Sequence, residues 1–424
     1  MATAPADTFI SLSHFPMRKV VIVQRVLPHY RVAFFSELRL RLLDENIDMR
    51  LAYGQELPGQ IPRTVDLIAP WAIRVQNRYL PLGPVKPVWQ PCLNLIEDAD
   101  LVIIEQANAL LLNHWLMLRR ALRARPLVAF WGHGSNRQAA HPDSLSEQIK
   151  RRLITRVDWW FAYTRLSARL VREAGFPPER ITIVNNTLDT GTLRRDLAAV
   201  TPAEQATARR RLELRPNDRI CLYSGGLYPD KRLDFLIQAG AAIHARLPDF
   251  RLLIIGDGPE RERIDRAART HPWLRYLGPL FGADRAIYYR LGQAFLMPGL
   301  VGLVIIDSFA TGLPLFTLDD SPHSPEIAYL KPGENGYMTP PDVTVYAAAV
   351  CAFLEGGERS ANVRSACLES GRTLTLERMV AHYATGITRC LRDNIAAGQL
   401  DDTPPDQTVR SESTPGNPTS CACF

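Results

Sequence analysis

Two doubly wound α/β domains are the architecture this sequence predicts, and three observations carry the prediction. The chain has 424 residues, too many for one ordinary core. Short apolar runs recur along it, each followed by an amphipathic helical pattern, the alternation that builds parallel sheets with ligands at the carboxyl ends of the strands. Two of these runs, residues 220–224 and 294–297, lead straight into glycine loops.

The first domain is assigned to residues 18–189, after a leader at 1–17 expected to be disordered. Residues 20–23 read as a buried strand, Leu27-Pro28-His29-Tyr30-Arg31 as a loop, 32–43 as a helix and 47–53 as the returning strand. From 55 to 91 proline is frequent and periodicity poor. Strands are then expected at 101–104 and 127–131, with a helix at 110–122 between them. The second of these strands enters Gly132-His133-Gly134-Ser135-Asn136-Arg137. Helices at 145–157 and 166–173 and strands at 159–163 and 181–184 follow, the last leading into Asn185-Asn186-Thr187-Leu188-Asp189. Residues 190–217 are read as a connector containing a charged helix at 203–214. The second domain spans 218–376, a helix at 377–398 packs back across the two domains, and 399–424 is a tail expected to be disordered. Its last residues, Cys421-Ala422-Cys423-Phe424, satisfy a prenylation pattern that four residues meet easily by chance.

Composition narrows the function classes. At 46% hydrophobic and 22% charged residues the chain reads as a soluble globular protein. No apolar run reaches the roughly 18–20 residues of a membrane-spanning helix. The opening residues carry Asp7 and no basic stretch, a poor signal peptide. Seven cysteines without paired spacing speak against a disulfide framework or zinc site, so a cytoplasmic location is expected. The net charge of +6 is concentrated at Arg119, Arg120, Arg123 and Arg125 and at Lys150, Arg151, Arg152 and Arg156. With Trp115 and Met117, the first cluster is either a solvated helix face, the preferred reading, or a peripheral contact with anionic membrane. No basic module interleaved with aromatics suggests nucleic acid as a partner.

The glycine loops carry the chemistry. Met297-Pro298-Gly299-Leu300-Val301-Gly302-Leu303-Val304-Ile305-Ile306-Asp307 ends a strand, breaks, and resumes as a helix stopped by Gly312-Leu313-Pro314. A helix start offers unpaired N–H groups and a positive dipole end to phosphate. Upstream, Gly225-Gly226-Leu227-Tyr228-Pro229-Asp230-Lys231-Arg232 is a second such loop, with two cations at its helix start. These loops, with Gly256-Asp257-Gly258-Pro259 between them and Pro325-Glu326 and Gly333-Glu334-Asn335-Gly336 after them, resemble the C-terminal half of the retaining nucleotide-sugar glycosyltransferases of family 4, which have the GT-B fold.

The resemblance implies two Rossmann-like domains facing a cleft, a nucleotide-sugar donor and a saccharide or lipid-linked acceptor, with no cofactor and no metal. It makes Lys231 the diphosphate cation, in a pattern whose usual arginine is here Gly226, with Arg232 adjacent. The family's central motif has two glutamates. The second, which bonds the ribose, corresponds to Asp307, and the first, which holds the donor sugar, corresponds to Gly299. The Pro-Gly-x-x-Gly-Leu form marks a subgroup among similar enzymes. Glu326 and backbone groups are then the candidates to hold the sugar, with Gly225, Gly302, Leu303 and Val304 lining the donor site. His133 is the candidate first-domain histidine near the transferred sugar, and His29, Tyr30 and Arg31 either meet the acceptor or diphosphate or serve as capping and packing residues. Asn186 and Asp189 fit the Asn-x-x-Asp that closes the first domain in the family, while Asp257 and Glu334 are turn residues. Two alternatives remain: a sugar-nucleotide 2-epimerase of the same architecture, and a catalytically degenerate donor-binding partner.

Overall fold

The computed structural model describes residues 16–58, 64–81, 86–123, 125–134 and 154–401, the side chains of 395–401 excepted. The leader up to residue 15, the run Ser135-Asn136-Arg137, the cations Lys150, Arg151 and Arg152, most of the expected 145–157 helix and the tail from 402 lie outside them.

Strand alternation sorts the apolar side chains of the first sheet onto two faces. Val20 and Ile22 join one core with Phe34, Trp131 and Phe161, while Val21 and Val23 join a second with Phe130 and Trp160. The sheet has seven parallel strands in the order Ala72–Arg74, Ile47–Tyr53, Arg18–Gln24, Leu101–Glu105, Leu127–Gly132, Trp159–Ala162 and Ile181–Ile183. Val20 lies opposite Met49 on one side and Leu101 on the other. Strand order therefore reverses between Arg18–Gln24 and Leu101–Glu105, where a crevice opens at the carboxyl ends.

The second sheet repeats the plan with six parallel strands: Leu274–Gly278, Phe250–Ile255, Arg219–Ser224, Ala294–Leu296, Leu315–Leu318 and Gly336–Thr339. Its reversal falls between Arg219–Ser224 and Ala294–Leu296, the two strands that run into the glycine loops.

Two segments go beyond the sequence reading. Residues 190–217, read as a connector with a charged helix at 203–214, hold helices Thr190–Ala199 and Pro202–Arg211, which bury Leu193 and Ala208 in the second core. Asp189 caps the first by accepting from the Thr192 N–H at 2.9 Å, and Thr201 with Glu204 forms a capping box on the second. The final helix runs from Leu376 to Asp401, into the stretch read as disordered tail, and it returns to the first domain. Met379, Tyr383, Ile387 and Cys390 complete the core around Phe34 and Trp131, and the Tyr383 ring stacks on Phe161 at 4.3 Å. Thr187, on the outgoing crossing between domains, donates its hydroxyl to the Leu374 carbonyl on the returning one at 3.0 Å.

Candidate active site

The two glycine loops of the second domain are fastened to each other. The Leu300 N–H donates to the Asp230 carbonyl at 2.9 Å, and Lys231 Nζ donates to the Leu300 carbonyl at 2.7 Å. Lys231 ends the short turn Pro229–Lys231, and the helix Leu233–Arg246 begins after it. Gly299 lies where the loops touch: a Cβ there would come within 2.3 Å of both the Asp230 oxygen and the Lys231 carbonyl carbon. In this arrangement a side chain at position 299 would collide with the first loop. Gly256 is pressed even more closely on the first loop, since a Cβ there would meet the Gly225 oxygen at 1.8 Å.

Beyond Gly299 the backbone is held by His323, which the sequence reading did not single out. Its Nδ1 accepts from the Val301 N–H at 3.1 Å and its Nε2 lies 2.7 Å from the Leu318 carbonyl, which fits the tautomer carrying its proton on Nε2. The helix Val304–Thr311 then starts without a side-chain cap. Among the described residues no protein acceptor takes the N–H of Gly302, Leu303 or Val304. These groups and Lys231 line the same junction. Gly226 leaves its place to the Tyr228 ring. Arg232, held at φ 54°, is committed to Asp320 through two contacts of 2.5 and 2.9 Å.

Asp307 is buried, and its surroundings are those of an internal ion pair. Arg285 Nη1 donates to Oδ2 at 2.8 Å, and the Tyr289 hydroxyl reaches the same oxygen at 3.3 Å. Tyr289 also shares a 2.7 Å hydrogen bond with Ser224, at the end of the strand that opens the first glycine loop. Burial raises the Asp307 carboxyl above its ordinary range, against the pull of Arg285 and the Tyr289 hydrogen bond. Arg285 had no signal in the sequence, being one of many arginines in the chain and one of two on helix Gly282–Leu291.

From the first domain, His29 and Tyr30 are exposed, while Arg31 is buried beneath them. The His29 ring meets Phe281 of the second domain edge-on at 5.7 Å. The Arg31 guanidinium lies over the Trp131 ring at 5.0 Å and donates to Asn186 Oδ1 at 2.6 Å. Asn186 in turn donates through Nδ2 to Glu326 Oε1 at 2.5 Å. Glu326 is buried on the turn Pro325–Tyr329, which is tied to the glycine loop by the Ser324 N–H donating to the Val301 carbonyl at 3.0 Å. His133 presents its ring at the cleft surface, edge-on to Tyr163 at 4.7 Å. The protein mass around it lowers its pKa, Glu326 opposes that shift and Arg31 reinforces it. Arg31, Asn186, Glu326 and His133 are thus neighbours, and the Val301–Ser324 bond joins them to the Lys231 junction. Asp257 and Glu334 stay local, the one accepting from the Gly258 N–H at 2.9 Å and the other paired with Lys331 at 2.8 Å.

Residues 218–356, about a third of the chain and including both glycine loops, match the family described as Glycosyl transferases group 1. The chain is 29% identical over 246 residues to the D-inositol 3-phosphate glycosyltransferase of Acidothermus cellulolyticus, covering 52% of each protein. It is 24% identical over 132 residues to the alpha-monoglucosyldiacylglycerol synthase of Acholeplasma laidlawii, covering 30% of this chain and 32% of that one. It therefore spans about half the length, or less, of these curated relatives. HepE of Anabaena, solved in complex with UDP, superposes with a TM-score of 0.61 at 16% identity over 88% of this chain and all of that one. The fold is GT-B: two Rossmann-like domains that meet at the carboxyl ends of their sheets.

Proposed function

We propose that this protein is a retaining, metal-independent glycosyltransferase that moves a sugar from a nucleotide diphosphate sugar to a carbohydrate or lipid-linked saccharide acceptor. The observation that carries the reading is the junction of two glycine loops at a helix start, with Lys231 on it and three N–H groups lacking a protein acceptor among the described residues. Such groups stabilise the charge that develops on a departing diphosphate, which replaces a metal ion in that task. The group 1 match covers this junction, and HepE binds UDP on the same fold.

In this reading Gly225, Gly226, Gly299, Gly302, Leu303 and Val304 line the diphosphate, and Lys231 neutralises it. Glu326 receives hydroxyls of the donor sugar, and His133 lies beside that sugar. Asp307 acts behind the nucleotide by holding Arg285, and Arg232 is occupied by Asp320. Retention follows from attack on the face the diphosphate leaves, the departing phosphate oxygen taking the acceptor proton. His29 and Tyr30 face the acceptor, whereas Arg31 works from beneath them. A role in bacterial surface polymers at the cytoplasmic face of the membrane accords with the lipid product named for the Acholeplasma relative. Leu118 and Leu122, 62% and 77% exposed one turn apart beside Arg119 and Arg123, offer a small surface for lipid contact. Arg120 does not contribute, since Asp158 holds it at 2.8 Å through two bonds.

The test is thermal unfolding with UDP, GDP, ADP and their sugar conjugates, followed by turnover of any donor that binds. A ligand at about a hundred times its dissociation constant adds roughly 2.7 kcal/mol to the folded state. Lys231→Ala is expected to lower turnover by about 10² or more while the fold persists. Unchanged turnover would remove Lys231 from the diphosphate. An epimerised sugar formed without acceptor would identify the epimerase alternative, and the absence of any nucleotide shift would favour a degenerate binding partner.

A further inference from the structure

Asn186 is 1% exposed, and each of its polar groups is used by a different residue. Its N–H donates to the Tyr163 carbonyl at 2.8 Å, and its own carbonyl accepts from the Tyr329 hydroxyl at 3.1 Å. Its side-chain oxygen takes Arg31 Nη2 at 2.6 Å and its amide nitrogen reaches Glu326 Oε1 at 2.5 Å. A neutral amide therefore stands between a buried cation of one domain and a buried carboxylate of the other. If those two groups met directly, each would consume the other's hydrogen-bonding capacity. With the amide between them, Glu326 is fixed through one oxygen and its charge is not bound into an ion pair with Arg31. The amide orientation is also dictated, since only the oxygen can face a guanidinium and only the NH₂ a carboxylate.

We infer that Asn186 is a positioning residue that aims the Glu326 carboxylate across the domain boundary at the donor sugar, with Arg31 as the anchor that orients the amide. The inference rests on the functional reading above, in which Glu326 contacts that sugar. Asn186 itself does not touch substrate.

The test is a double-mutant cycle on UDP release from UDP-glucose, using Asn186→Asp and Glu326→Gln in the full chain. In the unaltered background N186D keeps the Arg31 contact but sets a carboxylate against Glu326, and kcat should fall about tenfold or more with KM for UDP-glucose little changed. In the E326Q background the glutamine amide donates to the introduced carboxylate and restores the geometry, so N186D should cost less than about threefold further. Equal losses in both backgrounds, or no loss in either, would overturn the inference. Full turnover by E326Q alone would instead remove Glu326 from the donor site, and no turnover by the unaltered protein with UDP-glucose or any other donor of the panel would sink the functional reading and this inference with it. Thermal midpoints measured with and without UDP verify folding. Asn186→Ser, which removes the amide without adding charge, repeats the cycle if the aspartate variant does not fold, with the same additive or non-additive outcome deciding.

Discussion

Restoring a glutamate at position 299 is the perturbation that most directly tests how the two glycine loops are built. The resembled motif has a carboxylate there, so sequence comparison alone expects Gly299→Glu to improve a weak enzyme. The structure expects the opposite. Gly299 does not adopt a positive φ, so steric contact rather than backbone strain is the penalty. A Cβ at 2.3 Å from two backbone atoms must retreat by about 1 Å before reaching ordinary van der Waals separation. That retreat opens the 2.9 Å Leu300–Asp230 and 2.7 Å Lys231–Leu300 bonds. Overpacking costs about 1–3 kcal/mol and each of the two lost hydrogen bonds about 1 kcal/mol more, for a total of roughly 3–5 kcal/mol. In a domain of this size that is a fall in thermal midpoint on the order of 6–20 °C. Gly299→Ala should already show the loss, with weaker binding by calorimetry of whichever nucleoside diphosphate stabilises the unaltered protein, because Lys231 moves with the loop. A glutamate variant that melts at the unaltered temperature and binds that nucleotide as tightly would refute the reasoning.

Other expectations follow from buried polar groups. Asp307→Asn leaves the Arg285 guanidinium facing a neutral amide and should cost about 2–3 kcal/mol by chemical denaturation, and an unchanged midpoint would show that the pair contributes nothing. Tyr383 is fully buried with its hydroxyl unpartnered among the described residues, so Tyr383→Phe should be neutral or stabilising by up to about 1 kcal/mol, and a clear loss would reveal a partner for that hydroxyl. The lowered pKa of His133 means that the unfolded chain binds its proton more readily than the folded one. Its contribution is fully present above the ordinary value of 6.5 and is lost as pH falls through the depressed folded value. His133→Asn should therefore flatten the decline in stability as pH falls from 6.5 to that folded value, and an unchanged slope over this interval would contradict the assignment.

Local features of the fold were legible because local rules produce them. Apolar runs such as 220–224 became buried strands, and the helix after Gly302 ended at Gly312, which takes φ 69°. The glycine junction was visible as two separate loops, but not the contact between them, since nothing in the residues around Gly299 shows that Asp230 and Lys231 press on it. The polar pairs were less visible still. Asn186 and Glu326 are 140 positions apart, and Arg285 and Asp307 are 22 apart on different helices. No periodicity links such residues, and their types are common in turns and on solvated faces. Helix Thr190–Ala199 leaves little trace in the sequence because one deeply buried leucine, Leu193, anchors it, too weak a pattern to mark an amphipathic face.

The return of helix Leu376–Asp401 to the first core has a consequence for biosynthesis. As the chain leaves the ribosome, the strands of the first sheet emerge early, but one face of that sheet stays incomplete until the whole second domain has been translated. During that interval Phe34, Trp131 and Phe161 lack the cover that Tyr383 and its neighbours later supply. The N-terminal half cannot mature as an independent unit in the order of synthesis, and the nascent chain carries an adhesive aromatic surface for as long as the second half takes to appear.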